Sequence, residues 1–154
     1  MLFRSVSARS GSPFLLPHLG RGLAAGDLDN DGRVDGLVVA QNEPLVYLHN
    51  RTEGGHFLTI RLEGTSSNRD AVGARVTLSA GGRRRMAERM GGGSYQSASD
   101  PRLHFGLGAA QRVEWLEVRW PSGRVDRQED LATDVAYLLR EGDPRSVPLS
   151  GWRQ

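Results

Sequence analysis

The sequence contains no cysteine and no lysine, and both absences narrow the possible chemistry. Without cysteine, disulfide frameworks, zinc–thiolate sites and thiol nucleophiles are excluded. All 20 basic residues are arginine and 18 residues are acidic, so the formal net charge is only +2. That balance does not indicate nucleic acid as a partner. No run of 18 apolar residues occurs, so the sequence predicts no membrane-spanning helix.

Turn-forming residues are abundant, whereas aromatic residues make up only 6% of the chain. Twenty glycines and seven prolines favour short strands joined by turns over long helices. The predicted class is therefore all-β, with an antiparallel β-sandwich or barrel-like domain preceded by a single propeller-blade-like β unit. The predicted strands cover residues 23–28, 36–40, 45–49, 57–62, 74–80, 83–90, 103–107, 113–120, 125–129 and 135–140.

An acidic loop, Asp-Leu-Asp-Asn-Asp-Gly-Arg-Val-Asp over residues 27–35, separates the first two predicted strands. Its carboxylates occupy loop positions 1, 3, 5 and 9, so that alternate side chains turn toward a common centre when the loop curls. Gly32 permits the sharp bend, after which the carbonyl group of Arg33 can point inward. Val38 at position 12 replaces the glutamate of an EF-hand, so the loop is not of that type.

The loop composition predicts a calcium site, because carboxylate, carbonyl and water oxygens are the hard ligands that Ca²⁺ prefers. The predicted ligands are the carboxylates of Asp27, Asp29, Asp31 and Asp35 and the carbonyl oxygen of Arg33. A metal-free turn rich in Asp and Asn is the alternative. Against that alternative, four carboxylates within nine residues would repel one another without a cation.

The strand–loop–strand unit over residues 20–50 resembles the FG-GAP or VCBS repeat, the blade element of integrin-type propellers. The resemblance implies that calcium ties the loop and orders the blade edge. Only one such loop occurs in the sequence, whereas a propeller needs several blades. We therefore expect the chain to be the C-terminal part of a propeller-type protein, with further blades in a longer chain.

Four motifs follow in order: GTSSNRDAVGARV (64–76), SYQS (94–97), DPRLHFGLG (100–108) and VRWPSG (118–123). They resemble the signature of the ASPIC/UnbV domain family, and the resemblance covers residues 57–142. Cartilage acidic protein-like proteins are similar in architecture, with this domain after FG-GAP repeats. The resemblance implies an extracellular or periplasmic location, although residues 1–11 lack the pattern of a signal peptide.

These patterns divide the chain into four predicted segments. An irregular lead-in over residues 1–19 precedes the FG-GAP/VCBS-like repeat at 20–50. The ASPIC/UnbV-like β domain occupies residues 56–142, and residues 143–154 form a C-terminal tail.

Three further features allow both a structural and a functional interpretation. The loop Asn68-Arg69-Asp70 is a polar turn and also a possible ligand-binding loop. The indole of Trp120 either packs at a strand end or offers a platform for a sugar ring. The cluster of arginines at 83–85 and 89 is either a solvated sheet face or a contact for a polyanion or glycan.

The predicted function is a non-catalytic calcium-binding extracytoplasmic module for adhesion or ligand recognition, whose ligand is an unidentified protein or glycan. Ca²⁺ is the predicted cofactor, and no catalytic residues are predicted because no nucleophile elbow occurs. One alternative is an accessory or catalytic component of a biosynthetic (enediyne-type) or carbohydrate-active system. The other is a polyanion binder acting through the Arg83–Arg89 cluster, whose binding would depend strongly on salt.

Overall fold

A computed structural model describes residues 4–149 as eleven β-strands and two short 3₁₀ helices, Ser7–Arg9 and Ser12–Phe14. Residues 1–3 of the predicted lead-in and 150–154 of the predicted tail lie outside the described residues. The strands are β1 (Gly20–Gly26), β2 (Asp35–Ala40), β3 (Val46–Leu48), β4 (His56–Glu63), β5 (Arg75–Ala80), β6 (Arg83–Glu88), β7 (Leu103–Gly108), β8 (Arg112–Arg119), β9 (Val125–Ala132), β10 (Val135–Arg140) and β11 (Ser146–Pro148).

The strands form three sheets, with the orders β1-β2-β3, β11-β10-β4-β7 and β6-β5-β8-β9. Every pairing is antiparallel except that of β4 with β10, which is parallel. The two four-stranded sheets make the predicted β-sandwich, and their open strand orders exclude the barrel alternative. β11, within the predicted tail, pairs with β10. Among residues 4–149, no helix is long and apolar enough to cross a membrane.

The sandwich core lies between the two four-stranded sheets. Leu58 and Ile60 of β4 and Val76 and Leu78 of β5 are fully buried there, as alternate residues of a strand should be. β4 is also buried on its other face, where Thr59 packs beside His104 of β7. A strand buried on both faces needs a covering layer on each side. At Phe57, this cover comes from Gly32 of the acidic loop and from Leu149 near the C-terminal end.

The hairpin between β5 and β6 turns at Gly81 and Gly82, with φ angles of +59° and +69°. Both residues are in the left-handed region, which is the requirement of a two-residue type I′ turn and the reason for glycine at both positions. A tight turn therefore joins the strands that were predicted at residues 74–80 and 83–90.

The segment from Ser97, the last residue of the Ser-Tyr-Gln-Ser motif, to Asp100 lies along the edge of β1 that does not pair with β2. The backbone N–H of Leu23 donates to Oγ of Ser97 (2.9 Å), and that of Ala25 donates to Oγ of Ser99 (3.2 Å). The N–H of Asp100 in turn donates to the carbonyl oxygen of Ala25 (2.9 Å). These bonds join the three-stranded sheet to a distant part of the sequence, the segment that leads into β7 of the sandwich.

Candidate metal centre

The acidic loop connects β1 to β2, and its first carboxylate, Asp27, is almost completely buried. The Asp27 carboxylate accepts the backbone N–H of Asp31 (3.0 Å) and that of Gly32 (2.9 Å). Burial raises the pKa of Asp27, and the hydrogen bonds from Gly32 and Asp31 offset only part of that effect. A carboxylate with a desolvation cost that hydrogen bonds do not cover is one that a bound cation would stabilise.

The last carboxylate of the loop, Asp35, is equally buried but carries more hydrogen bonds. It accepts the N–H of Asn50 (2.8 Å), the hydroxyl of Tyr47 (3.0 Å) and the N–H of Leu28 (3.3 Å). Burial by itself would raise the pKa of Asp35, but these donors outweigh burial and lower it. Burial and the Asp35 carboxylate together raise the pKa of Tyr47 to about 12. Asp35 is therefore an anion at neutral pH.

Three of the predicted ligands converge. Asp27, Asp29 and Asp35 each offer a carboxylate oxygen, and these oxygens lie within 4.8 Å of one another. Because Ca²⁺ binds oxygen at about 2.3–2.6 Å, two oxygens on opposite sides of one ion are about 5 Å apart. The donor set is thus all hard oxygen, at a spacing that one calcium ion can bridge.

Asp31 belongs to the same loop, but its carboxylate bonds to Arg33. Its carboxylate accepts the N–H of Arg33 (2.8 Å) and also pairs with the Arg33 guanidinium. It belongs to a second set, in which Nε2 of His49 lies 3.0 Å from the Asp29 carboxylate and 4.0 Å from that of Asp31. The guanidinium of Arg33 also donates to the carbonyl oxygen of Asn50 (2.8 Å). Asp29 is therefore common to both possible ligand groups, and Arg33 is held beside Asp31.

The middle of the loop rests on an aromatic pair from the sandwich. Gly32 has a φ of +89°, and a Cβ atom at this position would lie 2.1 Å from Cε1 of Phe57. The Phe57 ring stacks on His104, with ring centroids 5.8 Å apart. Burial lowers the pKa of His104, an effect that the nearby Asp27 carboxylate opposes. Gly32 is thus required twice, by its backbone conformation and by its contact with the ring.

The predicted ligand loop at residues 68–70 is tied to the residues on either side of it. The side-chain amide of Asn68 donates to the carbonyl oxygen of Val72 (2.9 Å) and accepts its N–H (2.8 Å), which is the geometry of a structural turn. Arg69 is exposed, whereas Asp70 lines a cavity of about 440 Å³ that also includes Arg61 and Arg89.

The indole of Trp120 is buried, and its Nε1–H donates to the Asp126 carboxylate (2.8 Å). This is the packed arrangement of the two that the sequence allowed, since a sugar platform needs an exposed ring face.

The arginine cluster is divided between two faces of β6. Arg85 donates to the carbonyl oxygens of Ala80 (3.1 Å) and Leu107 (3.3 Å), which fixes its side chain against the sandwich edge. Arg84 lies on the other face, with its guanidinium 5.1 Å from the ring centroid of Trp115. The cluster is not a single basic stripe.

Glu141 is a buried carboxylate that sequence patterns did not single out. It accepts the backbone N–H groups of Thr65, Ser66 and Ser67 (2.7–2.8 Å) and the hydroxyls of Ser67 and Ser122. Burial alone would raise its pKa, but these donors lower it to about 2. Glu141 therefore joins the first ASPIC/UnbV-like motif to the Trp-Pro-Ser-Gly turn. The residues of both motifs that bond to Glu141 stabilise the fold.

Comparison with known families agrees with this architecture. A family model described as ASPIC and UnbV matches residues 64–146, which is more than half of the 154-residue chain. A comparison with curated proteins found no match. The matched segment contains both structural motifs held by Glu141 and the strands β5–β10 of the sandwich. The chain belongs to the ASPIC and UnbV family.

Proposed function

We propose that this chain is a non-catalytic, calcium-binding extracytoplasmic module for adhesion or ligand recognition, and the C-terminal part of a propeller-type protein. The observation that carries the proposal is the convergence of Asp27, Asp29 and Asp35 within one loop. The three-stranded sheet that holds this loop is, in this proposal, an FG-GAP-type repeat. Membership of the ASPIC and UnbV family, whose domains are of extracellular type and often follow such repeats, supports the location and the domain order.

The electrostatics of the loop support a divalent cation. Asp27 and Asp35 are both buried, and a third carboxylate, Asp29, lies within 4.8 Å of them. Like charges at this separation destabilise one another strongly when they are shielded from water. Ca²⁺ bound there would supply the opposing charge. The proposed ligand set also includes two further oxygen donors of the loop, the carboxylate of Asp31 and the carbonyl group of Arg33.

A surface cavity near the sandwich edge supports recognition of a polar ligand. Arg61, Asp70 and Arg89 line this cavity of about 440 Å³. Charged side chains of both signs around one concavity suit a ligand with hydroxyl and carboxylate groups, such as a glycan or an acidic peptide. The ligand loop at residues 68–70 would then contribute through Asp70, since Asn68 is committed to its own turn.

Thermal unfolding in EDTA, in millimolar Ca²⁺ and in millimolar Mg²⁺ tests the metal site. At 100 times its dissociation constant, a bound ion stabilises a two-state fold by about 2.7 kcal/mol. For a chain of this size, that corresponds to a rise in Tm of roughly 5–10 °C. We expect Asp29→Asn to abolish most of the rise. Asp130→Asn is the control, because it makes the same substitution at an exposed carboxylate on β9, outside the acidic loop.

The outcomes are distinct. A calcium-specific rise that Asp29→Asn removes and Asp130→Asn retains supports the proposal. Equal melting temperatures in EDTA and Ca²⁺, together with no heat of binding in a calcium titration, would overturn it. A rise of equal size in both variants would place the calcium elsewhere in the chain.

A further inference from the structure

We propose that Arg102 is a positioning residue for the acidic loop, so that the calcium site is complete only when the sandwich packs against the first sheet. This inference rests on the proposed calcium binding. It adds that a residue of the ASPIC and UnbV segment, far from the loop in sequence, controls its affinity for the ion.

Arg102 immediately precedes β7 and reaches across to two points of the loop. Its Nη2 donates to the carbonyl oxygen of Asp27 (2.9 Å), and its Nη1 donates to Oδ1 of Asn30 (3.1 Å). Asn30 has a φ of +60°, so its backbone is in the left-handed region and contributes to the bend of the loop that continues to Gly32. One planar guanidinium thus holds both the entry of the loop and its bend.

The bond to Asp27 orients the residue that leads the ligand set. Arg102 donates to the backbone carbonyl of Asp27. The carboxylate of Asp27 accepts the N–H groups of Asp31 and Gly32 within the loop. The backbone of Asp27 is therefore fixed from outside and its side chain from inside. Loss of the outer bond would free the carbonyl group and with it the direction of the carboxylate.

A guanidinium beside a cation site would repel the ion unless its own charge were balanced. Asp100 supplies that balance, because Nε of Arg102 donates to both of its carboxylate oxygens (2.9 and 2.7 Å). Asp100 is itself held against the first sheet by the bond from its N–H to Ala25 and by close contact with Gly26. The pair can position the loop without adding net charge to the site.

Phe57 provides a second, independent anchor at Gly32, so the sandwich contacts the loop at its entry, its bend and its middle. If docking of the sandwich favours the ion-binding form of the loop, then ion binding must favour docking by the same factor. Calcium affinity is therefore a direct measure of how well the two parts of the chain are packed.

The test is calorimetric titration of the full chain with Ca²⁺, accompanied by a melt in EDTA for each protein. We expect Arg102→Gln to raise the Kd for Ca²⁺ about tenfold. Asn30→Gly, which keeps the left-handed backbone but removes the acceptor, should raise it by a smaller factor, and the double variant should be no weaker than Arg102→Gln alone. Arg119→Gln, at an exposed arginine on β8, is the matched control and should leave the Kd unchanged.

A Kd within twofold of the wild type for Arg102→Gln overturns the positioning role and leaves calcium binding intact, even if the melt in EDTA drops. If that variant does not fold, Asn30→Gly carries the test by the same criterion. Absence of binding heat in the wild-type chain overturns both this inference and the proposed function. Asp100→Asn is a further test of the charge balance. It leaves the Arg102 charge unbalanced and should weaken Ca²⁺ binding, and the loss of affinity should be smaller at high salt, which screens that charge.

Discussion

Replacing Glu141 by glutamine should reveal how much one buried charge contributes to the sandwich. Glutamine has nearly the same shape, and its carbonyl oxygen can still accept the three backbone N–H groups of residues 65–67. Its amide group can donate to the hydroxyls of Ser67 and Ser122, which would rotate to accept. The substitution therefore removes the negative charge while it keeps the hydrogen-bond pattern.

The magnitude follows from the pKa of Glu141, which falls from 4.5 to about 2 in the folded chain. A difference of that size corresponds to about 3 kcal/mol of stability at neutral pH. Since the amide retains neutral hydrogen bonds, we expect Glu141→Gln to cost about 2 kcal/mol, or roughly 4–8 °C in Tm. Glu129→Gln should cost less than about 0.5 kcal/mol, because Glu129 and its partner Arg127 are both largely exposed.

The pH dependence has a definite sign. Because the pKa of Glu141 is lowered on folding, its contribution is complete above pH 4.5 and is lost as the pH falls toward 2. Urea unfolding of both proteins at pH 7, 5, 4 and 3 should show the difference in free energy shrinking by more than half at the lowest pH. The reasoning would be refuted by a difference at pH 7 no larger than that of an exposed ion pair, about 0.5 kcal/mol. A difference that stays constant down to pH 3 would refute it equally.

Two other substitutions test contacts described above. Gly32→Ala should destabilise the chain by about 2–4 kcal/mol in a thermal melt, because the new Cβ would meet the ring of Phe57 and the backbone is left-handed. Gly20→Ala is the control and should be neutral, because a Cβ atom at Gly20 meets nothing within 4 Å. Trp120→Phe should cost about 2–3 kcal/mol in urea unfolding, because it leaves a cavity and removes the indole hydrogen bond. An equal cost for Trp115→Phe, at a tryptophan that is only partly buried, would contradict this account.

The β-sandwich was predictable because its signals are local. The strands predicted at residues 74–80 and 83–90 correspond to β5 and β6, and the glycine pair between them is a local turn signal. Such signals act within a few residues, so they can be read from the sequence without knowledge of distant partners. The two faces of β4 were harder, since Phe57 and Thr59 are buried only because another part of the chain covers them.

The geometry of the acidic loop was also predictable only in part. Alternate spacing predicted one set of carboxylates from Asp27, Asp29 and Asp31, completed by Asp35. In the structure, oxygens of Asp27, Asp29 and Asp35 lie within 4.8 Å of one another, whereas Asp31 is grouped with Asp29 and His49. The pairing of Asp31 with Arg33 was not predictable from spacing, because spacing does not show which partner a charged side chain selects.

Long-range polar partners left no periodic signal. Arg102 is remote in sequence from the loop carbonyl that it holds, and Glu141 is equally remote from the N–H groups that it accepts. Polar residues in turns have many possible partners in an unfolded chain, and only tertiary packing selects one.

The serine contacts along β1 have a consequence for the behaviour of the chain in concentrated solution. An uncovered edge strand presents a row of free N–H groups that another chain can extend into a continuous intermolecular sheet. Here two of those N–H groups donate to the side-chain hydroxyls of Ser97 and Ser99. A hydroxyl group, unlike the backbone of another strand, does not extend the sheet. Because these N–H groups on the edge of the sheet are already hydrogen-bonded, the segment protects the chain against aggregation by strand addition.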